Sequence, residues 1–330
     1  MVTIKEIAKQ LGISASTVSK GLNGAADISG ELRHTVINTA IEMGYTAKRI
    51  KNSRHKKLCL FLEKTSYEPA VQCSLDIVLG FQQAAACEGR DIIVIPYPIS
   101  HNITITYDAY MLKHGFCGAF FVGSFPKDDW NSEFTSTVIP TVFLGHHCLG
   151  NPHTCQVSTD LYGALGIGIS HLKSLNHKKI AFLNDAGNPA AIWLQRAYYM
   201  ESATHGLTAP DSMYACTTPL GKDAGIYLRR FLQAGVTAFM CGSDILARAV
   251  IKECALLGLS VPRDISVIGF GSFASSALAI PPLTTVGQNW KALGRGGYYA
   301  LAALFQEITV SQTLLRAELI LRDSTAFCRQ

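Results

Sequence analysis

A short stretch near the start of the chain carries side chains whose types and spacing suit contact with a nucleic acid. Small, polar or basic residues share one face of a predicted helix: Ala15, Ser16, Ser19 and Lys20. Val18 and Leu22 supply an apolar face on the other side. Such a helix, held across a tight turn from another helix, is typical of a helix-turn-helix, whose second helix enters the DNA major groove. The alternative is an ordinary helical hairpin at a domain edge.

The neighbouring residues predict the elements that must hold this helix in place. A preceding helix is indicated by apolar residues at helical spacing: Ile4, Ile7, Ala8 and Leu11. Gly12 can adopt the positive φ that ends it, and Ser14 is a suitable N-cap for the next helix. A third helix is predicted from its N-cap Ser29 to Gly44. Three helices in 45 residues make only a small core.

Charge is distributed unevenly along the 330 residues. Residues 1–57 contain ten Lys or Arg and four Asp or Glu, whereas the remaining 273 residues contain 19 and 20. Six of the basic side chains lie in residues 48–57. A basic head on a neutral body predicts that only the head meets a polyanion. The basic run is either a solvated linker or, as we expect after a helix-turn-helix, a source of phosphate contacts.

From Leu58 onward, apolar runs suited to buried parallel strands alternate with helical segments. The predicted strands are Leu58–Leu62, Asp91–Pro96, Ala119–Gly123, Thr141–Leu144, Lys179–Leu183, Met213–Thr217, Ala238–Cys241 and Ser266–Phe270. The predicted helices are Leu75–Glu88, Tyr162–Ser174, Ala190–His205, Lys222–Ala234 and Asp244–Leu257. Two such series predict two doubly wound α/β lobes, with a ligand between them at the carboxyl ends of the strands.

Composition and motifs exclude several classes of protein. No apolar run approaches the roughly 18 residues of a membrane span and no signal peptide is evident, so we expect a cytoplasmic protein without membrane association. The ten cysteines are scattered, which fits reduced thiols. We find no P-loop, nucleophile elbow, H-E-x-x-H or dinucleotide-binding motif, and Gly294–Gly297 lies in a helical context. We therefore expect neither an enzyme nor a cofactor.

A series of motifs resembles the LacI/GalR family of bacterial transcriptional regulators along almost the whole chain. In the head these are Thr3–Ala8, Gly12–Ser14, Ser16–Lys20, Leu22–Asn23 and Gly44–Tyr45. In the body they are Val157–Asp160, His177–Ala181, Ser243–Asp244, Gly258–Pro262, Asp264–Phe270, Pro281–Val286 and Glu318–Arg322. The order and spacing of the whole series carry the resemblance.

The resemblance implies a fold, a domain organisation and a function. It implies a three-helix head, a hinge, and a two-lobed core similar to periplasmic sugar-binding proteins. The expected domains are residues 1–46 (head), 47–57 (hinge), 58–157 with 288–315 (first lobe) and 158–287 with 316–330 (second lobe). The implied function is a repressor of carbohydrate-related genes that binds two-fold, double-stranded operator DNA and is controlled by a small effector. Few residues follow Arg322, which favours a homodimer over a tetramer.

Carried onto this chain, the resemblance also assigns DNA contacts. Ala15, Ser16 and Lys20 would read bases, with Lys20 able to donate to guanine and Ala15 able to offer only an apolar contact. The positions suited to phosphates are Thr17, Ser19, Asn23 and Arg33. The remaining expected contacts are Thr3, Tyr45, Lys48 and Arg49. Because Gly21 costs a helix about 1 kcal/mol relative to alanine, we expect DNA to complete the ordering of this helix.

The hinge departs from the family pattern. Family members often carry a hinge segment that wedges a leucine into the minor groove, but here the segment is about three residues shorter and the leucine register falls near Arg54. Ile50 is the bulky apolar candidate for a wedge. The alternative is a disordered basic hinge that holds DNA electrostatically.

The expected effector site also departs from the family pattern. Leu194 and Gly271 replace an arginine and an aspartate that often pair with sugar hydroxyls. Arg196 either substitutes for that arginine or faces solvent, and Asp160 and Asp244 are either effector contacts or helix caps. The remaining expected contacts are Tyr67, His146, Phe270 and Gln288. Such a pocket would bind plain hexoses weakly, because desolvated hydroxyls would go unpaired. The effector would be atypical, or absent.

Other interpretations stay open. The segment from His146 to Cys155 holds five potential metal ligands, but its spacing matches no standard zinc site, so we expect a loop at the rim of the cleft rather than a metal site. A solute-binding protein with a vestigial head is the main functional alternative. A sugar-processing enzyme on the same core is another.

Overall fold

The computed structural model describes residues 2–23, 25, 27–43, 45, 57–64, 68–97, 106–123, 130–145, 150–207 and 210–329. The head contains helices α1 (Ile4–Leu11), α2 (Ala15–Asn23) and α3 (Gly30–Glu42). They enclose a small core of Ile7, Ala8, Val18, Leu22, Val36, Ala40 and Tyr45. Ile7, Ala8, Val18 and Leu22 are among the apolar positions whose spacing predicts the helix-turn-helix, so that prediction is confirmed.

The first sheet follows the head. Its strands are β1 (Lys57–Glu63), β2 (Asp91–Tyr97), β3 (Gly118–Val122), β4 (Thr141–Leu144) and β5 (Thr154–Thr159), together with β11 (Gln312–Leu315). The order is β11-β5-β4-β3-β1-β2, and the pairings among β1 to β5 are parallel. The helices of this part of the chain are α4 (Glu68–Cys87), α5 (Tyr107–His114) and α11 (Trp290–Phe305). An aromatic core that includes Phe61, Tyr107, Phe121 and Trp130 packs on this sheet.

The second sheet has the same construction. Its strands are β6 (Ile180–Asp185), β7 (Tyr214–Thr217), β8 (Ala238–Cys241), β9 (Ser266–Gly271), β10 (Thr285–Gly287) and β12 (Glu318–Ile320). The order is β12-β10-β9-β8-β6-β7, with only the β10–β12 pairing antiparallel among those described. Its helices are α6 (Leu161–Ser174), α7 (Ala191–Thr204), α8 (Ala224–Gln233), α9 (Asp244–Leu256) and the short α10 (Ala274–Ala277).

Alternate residues of these strands enter two separate cores. Ala181 and Leu183 pack with α8 and α9, whereas Ile180 and Phe182 pack with α6 and α7. Since successive strand side chains point to opposite faces, helices cover both faces of this sheet. The predicted doubly wound α/β class is therefore confirmed.

The chain divides into two compact units. One contains residues 1–66, 74–157 and 291–313, and the other contains residues 67–73, 158–290 and 314–330. The finer separation of a head (1–46) and a hinge (47–57), and the predicted lobe boundaries, stay predictions. Among the described helices, none is long and apolar enough to cross a membrane.

The structure corrects three details of the predicted elements. β2 is not a buried strand, because it forms the edge of its sheet and leaves Ile93 and Val94 41% and 43% exposed. Helix α4 begins at Glu68, seven residues before the predicted start. The apolar runs predict none of β5, β10, β11 and β12, because each of these strands is short or polar.

The glycines at 294 and 297 have a packing role. A Cβ at Gly294 would lie 2.0 Å from the carbonyl oxygen of Ile77, and one at Gly80 would lie 2.0 Å from that of Lys291. Helices α4 and α11 thus approach each other backbone to backbone, which only glycine allows. A Cβ at Gly297 would lie 2.7 Å from the Phe120 ring, so close packing on α4 and on β3 explains Gly294 and Gly297.

Candidate nucleic-acid interface and effector face

Two side-chain caps fix the start of the helix-turn-helix. The Thr3 amide donates to Glu6 Oε2 at 2.7 Å and the Glu6 amide donates to Thr3 Oγ1 at 3.3 Å, which is a capping box. These bonds lower the pKa of Glu6 below its ordinary value. Gly12 ends α1 with φ 64°, and the Thr17 amide donates to Ser14 Oγ at 3.0 Å. Thr3 and Thr17 therefore have local structural roles, whatever they do toward DNA.

The outward face of α2 presents few groups. Ser16 and Lys20 are exposed, and Ala15 and Ser19 are half-buried. The Lys20 Nζ lies 2.5 Å from Asp27 Oδ2, with the two side chains 50% and 58% exposed. The hydrogen bond from Lys20 holds the pKa of Asp27 below its ordinary value. The expected base-reading lysine is thus paired with a carboxylate that the sequence analysis did not single out.

The remaining expected DNA contacts are placed variously. Arg33 is half-buried on α3, and Asn23 is the last residue of α2. Tyr45 is buried in the three-helix core, and its amide donates to the Ala40 carbonyl at 2.7 Å. Its ring therefore stabilises the head from inside. Lys48, Arg49 and Ile50 lie outside the described residues, so the wedge and the basic hinge stay predictions.

On the second unit, Asp160 and Ser243 are helix caps. The Gly163 amide donates to Asp160 Oδ1 at 3.1 Å at the start of α6. The N-cap of α9 is Ser243, whose Oγ accepts the Leu246 amide at 3.2 Å, and Asp244 is the first helical residue. The cap interpretation holds for Asp160 and is wrong for Asp244.

Asp244 instead connects three separate segments. Its Oδ2 accepts the Phe273 amide at 2.9 Å and the Ser276 hydroxyl at 2.5 Å, and its Oδ1 accepts the Thr285 hydroxyl at 2.5 Å. The side chain is fully buried, and burial raises the pKa of this carboxyl above its ordinary value despite the three donors. Its predicted effector contact stays a prediction, but three of its roughly four acceptor sites are already used by the protein.

The replaced family anchors lie in apolar surroundings. Leu194 is fully buried in the core formed by α6 and α7, and Phe270 is also buried there. A Cβ at Gly271, where φ is 121°, would lie 3.5 Å from Phe273 Cζ. Arg196 is exposed on α7 with its guanidinium carbon 5.0 Å from the Trp193 ring centroid. The position favours the solvent-facing alternative for Arg196.

Residues 3–48 match the family of bacterial regulatory proteins called the lacI family, and residues 169–325 match a periplasmic binding protein-like domain. The chain thus combines a lacI-family head with a periplasmic binding protein-like domain. The HTH-type transcriptional regulator reg1 of Streptomyces lividans is 24% identical and covers 98% of this chain and 96% of its own length. The lactose operon repressor of Escherichia coli (strain K12) is also 24% identical, over 98% of this chain and 91% of its own length.

Solved structures show the same fold. The transcriptional regulator CelR in complex with cellobiose has a TM-score of 0.68 at 21% identity, covering 98% of this chain and 100% of its own. The Lac repressor dimer bound to operator and the anti-inducer ONPF has a TM-score of 0.63 at 22% identity, covering 98% and 99%. With the lacI-family head at residues 3–48, this chain is a DNA-binding transcriptional regulator.

Trp290, Phe273 and Thr159 lie beside the expected effector contacts Gly271 and Gln288, although the sequence does not single them out. The Trp290 indole Nε1 donates to the Gly271 carbonyl at 3.1 Å, and the Phe273 ring is parallel to Trp290 within 3°, with centroids 6.3 Å apart. The Thr159 hydroxyl donates to Gln288 Oε1 at 2.7 Å. The available signal is their position, because Trp290 begins α11, Phe273 follows β9 and Thr159 ends β5.

Some expected site residues cannot be placed. Tyr67, His146, His147 and Cys148 lie outside the described residues. Within the described ranges, no three His, Cys, Asp or Glu side chains form a group that could hold a metal ion. Burial raises the pKa of the Cys155 thiol to about 11, which keeps it protonated near neutral pH.

Proposed function

We propose that this regulator represses carbohydrate-related genes by binding two-fold operator DNA as a homodimer, under the control of a small effector. The observation that carries the proposal is the polar face of α2, presented outward by a packed three-helix core. The first 57 residues add a net charge of +6, which supplies phosphate attraction.

The proposed roles follow from the positions of these residues in the head. Ser16 and Lys20 read base edges and Ala15 offers an apolar contact, while Thr17, Ser19, Asn23 and Arg33 position the head on phosphates. Thr3 and Tyr45 act by holding the head together, and Lys48, Arg49 and Ile50 form the hinge contact. Because each head has few base-reading groups, it discriminates only weakly among half-site sequences. Specific binding therefore needs a second copy of the chain on the other half-site.

A second copy of this chain is supported by exposed apolar side chains. On the first unit these are Leu75, Leu79, Ile93 and Val94, and on the second unit Ile226, Leu256, Leu278 and Ile280. Leu278 and Ile280 are 83% and 92% exposed, which is unusual for side chains that large. The solved Lac repressor with this fold is a dimer on its operator. Sedimentation of wild type beside I280K and L79K is expected to show a dimer that these charges weaken.

The effector is proposed to bind at the carboxyl ends of the second unit's strands, where open α/β sheets place their ligands. This face lacks the two usual hydroxyl-pairing side chains and presents the rings of Phe273 and Trp290 instead. The proposed contacts are Asp160, Asp244, Gly271 and Gln288, with Leu194, Phe270 and Arg196 as further candidates. Tyr67 and His146, which lie outside the described residues, stay candidates from the sequence. We expect calorimetry to show weak binding of a plain hexose, and tight hexose binding would contradict the atypical pocket.

The test of DNA binding is a gel shift on duplexes selected from a random pool with wild-type protein. We expect two-fold symmetric sites and an affinity that falls steeply with salt. A flat salt dependence would instead support a solute-binding protein with a vestigial head. Selected sites without two-fold symmetry would contradict the dimeric arrangement.

A further inference from the structure

The pairing of Lys20 with Asp27 has a consequence for DNA recognition. Lys20 lies in the last turn of α2, and Asp27 lies in the segment that connects α2 with α3. The Ala25 amide donates to the Lys20 carbonyl at 3.1 Å, which turns the chain back along the helix end. Asp27 Oδ2 therefore reaches the Lys20 ammonium at 2.5 Å. The contact is built by the turn as well as by charge.

Asp27 is distinct among the acidic side chains described in the head. The carboxylate of Glu6 is bound by its own cap residue Thr3. Glu31 stands in the first turn of α3, where a carboxylate stabilises the helix dipole. Asp27 is the described acid bonded to a proposed base-reading side chain, although it would be repelled by nearby phosphates.

We propose that Asp27 limits the DNA affinity of the head by occupying Lys20 until a base or a phosphate replaces it. This inference rests on the proposed role of Lys20 in DNA binding. At a cognate half-site Lys20 leaves the carboxylate for a guanine edge, where hydrogen bonds are directed and selective. On DNA of arbitrary sequence it either stays with Asp27 or leaves for a phosphate. Asp27 thus lowers affinity for the operator at least as much as affinity for non-cognate DNA.

The pair is accessible enough to exchange partners. Because both side chains are half exposed, the ion pair competes with water and salt and is easily opened. A buried ion pair would hold Lys20 too tightly for DNA to displace Asp27, whereas this exposed pair costs only a modest free energy to break. Each dimer carries the penalty twice, so its effect on DNA affinity is multiplied across two half-sites.

The experiment compares wild type, D27N and E31Q on two probes: the random duplex pool and a duplex that wild type selected from it. D27N is expected to bind the selected duplex about three- to tenfold more tightly than wild type, and the random pool with an equal or smaller gain in affinity. Its salt slope on the random pool should steepen by about 0.9 for each head, because one more cation is available for phosphate. E31Q removes the same charge from the same head and serves as the matched control.

The cycle with K20Q decides whether the effect passes through the pair. If Asp27 acts through Lys20, adding D27N to K20Q should raise DNA affinity no more than E31Q raises it. An equal gain with and without Lys20, or D27N binding that matches E31Q or falls below wild type, would overturn the inference. Thermal melts and the second variant D27S identify any folding defect. Wild type that fails to bind either probe would overturn the proposed DNA-binding residues themselves, which is a distinguishable result.

Discussion

Gly21 of α2 lies so close to α3 that a Cβ at this position would be 3.2 Å from the Cβ of Val36. The residue is buried at the crossing of the two helices, so its missing side chain lets α2 pack tightly. A glycine costs a helix about 1 kcal/mol relative to alanine, and here close packing offsets that cost. The expectation that DNA completes the ordering of α2 stays a prediction, but the glycine no longer requires it.

G21A is expected to lower the stability of α2 or leave it unchanged. The new methyl meets the β-branched side chain of Val36, which cannot swing away. In a V36A background the same substitution should stabilise α2 by about 1 kcal/mol more than it does in wild type. Without the clash, only the higher helix propensity of alanine remains. Hydrogen exchange of the α2 amides in the full chain measures the effect of G21A in both backgrounds. G30A is the control, because a Cβ at Gly30 meets nothing within 4 Å. Equal effects of G21A in both backgrounds would argue against the packing role.

D244A is expected to lower the free energy of unfolding by about 3 kcal/mol, because three buried donors lose their acceptor. D244N should cost less, since its amide oxygen still accepts. D160A, which removes a partly exposed cap, should cost only about 1 kcal/mol. Urea denaturation of the three variants gives the order. If D244A proved as mild as D160A, Asp244 would not connect β10 with the segment after β9.

The raised pKa of Asp244 also predicts a pH dependence. Because its folded-state pKa lies above the unfolded value near 3.8, the ionised carboxyl opposes folding, and this opposition disappears as the pH falls through the folded pKa. Stability of wild type relative to D244N should therefore increase on acidification toward pH 4. A stability difference that is independent of pH would show that burial does not shift this group.

His177 predicts the opposite pH trend for the C-terminal tail. The ring lies 2.9 Å from the Thr237 hydroxyl and 3.0 Å from the Ala326 carbonyl, and burial lowers its pKa. Because the folded state lowers the pKa of His177, the neutral ring stabilises the fold above the unfolded-state pKa of 6.5. This stabilisation is lost as the pH falls below that value. Thermal midpoints of wild type should fall between about pH 7 and pH 5 more than those of H177Q. H205Q is the control, and an equal fall in H177Q would assign the trend to other groups.

Lys20 and Arg33 should differ in how they affect DNA binding. K20Q is expected to weaken binding to a selected duplex by about ten- to hundredfold and to relax sequence preference. R33Q should weaken all sequences alike and reduce the salt slope by about 0.9 for each head. Titration of selected and random duplexes at several salt concentrations separates the two. Uniform loss with K20Q would move Lys20 from base reading to phosphate contact.

The sequence by itself determined the elements whose signals are local. Helical spacing at Ile4, Ile7 and Leu11, the cap Ser14 and the turn glycine Gly12 predict α1 and α2, because capping and periodicity act within a few residues. The apolar runs predict most strands of both sheets for the same reason. The lacI-type motifs determined the function class, since the chain carries them in order.

Only the tertiary structure decided how distant residues meet. The donors of Asp244 come from residues 273, 276 and 285, and the strand order leaves β2 at an edge with its apolar side chains uncovered. The contact of Lys20 with Asp27 depends on the turn between helices. Such contacts depend on how the chain packs in three dimensions, and residue type and spacing alone do not specify which buried or charged groups become partners.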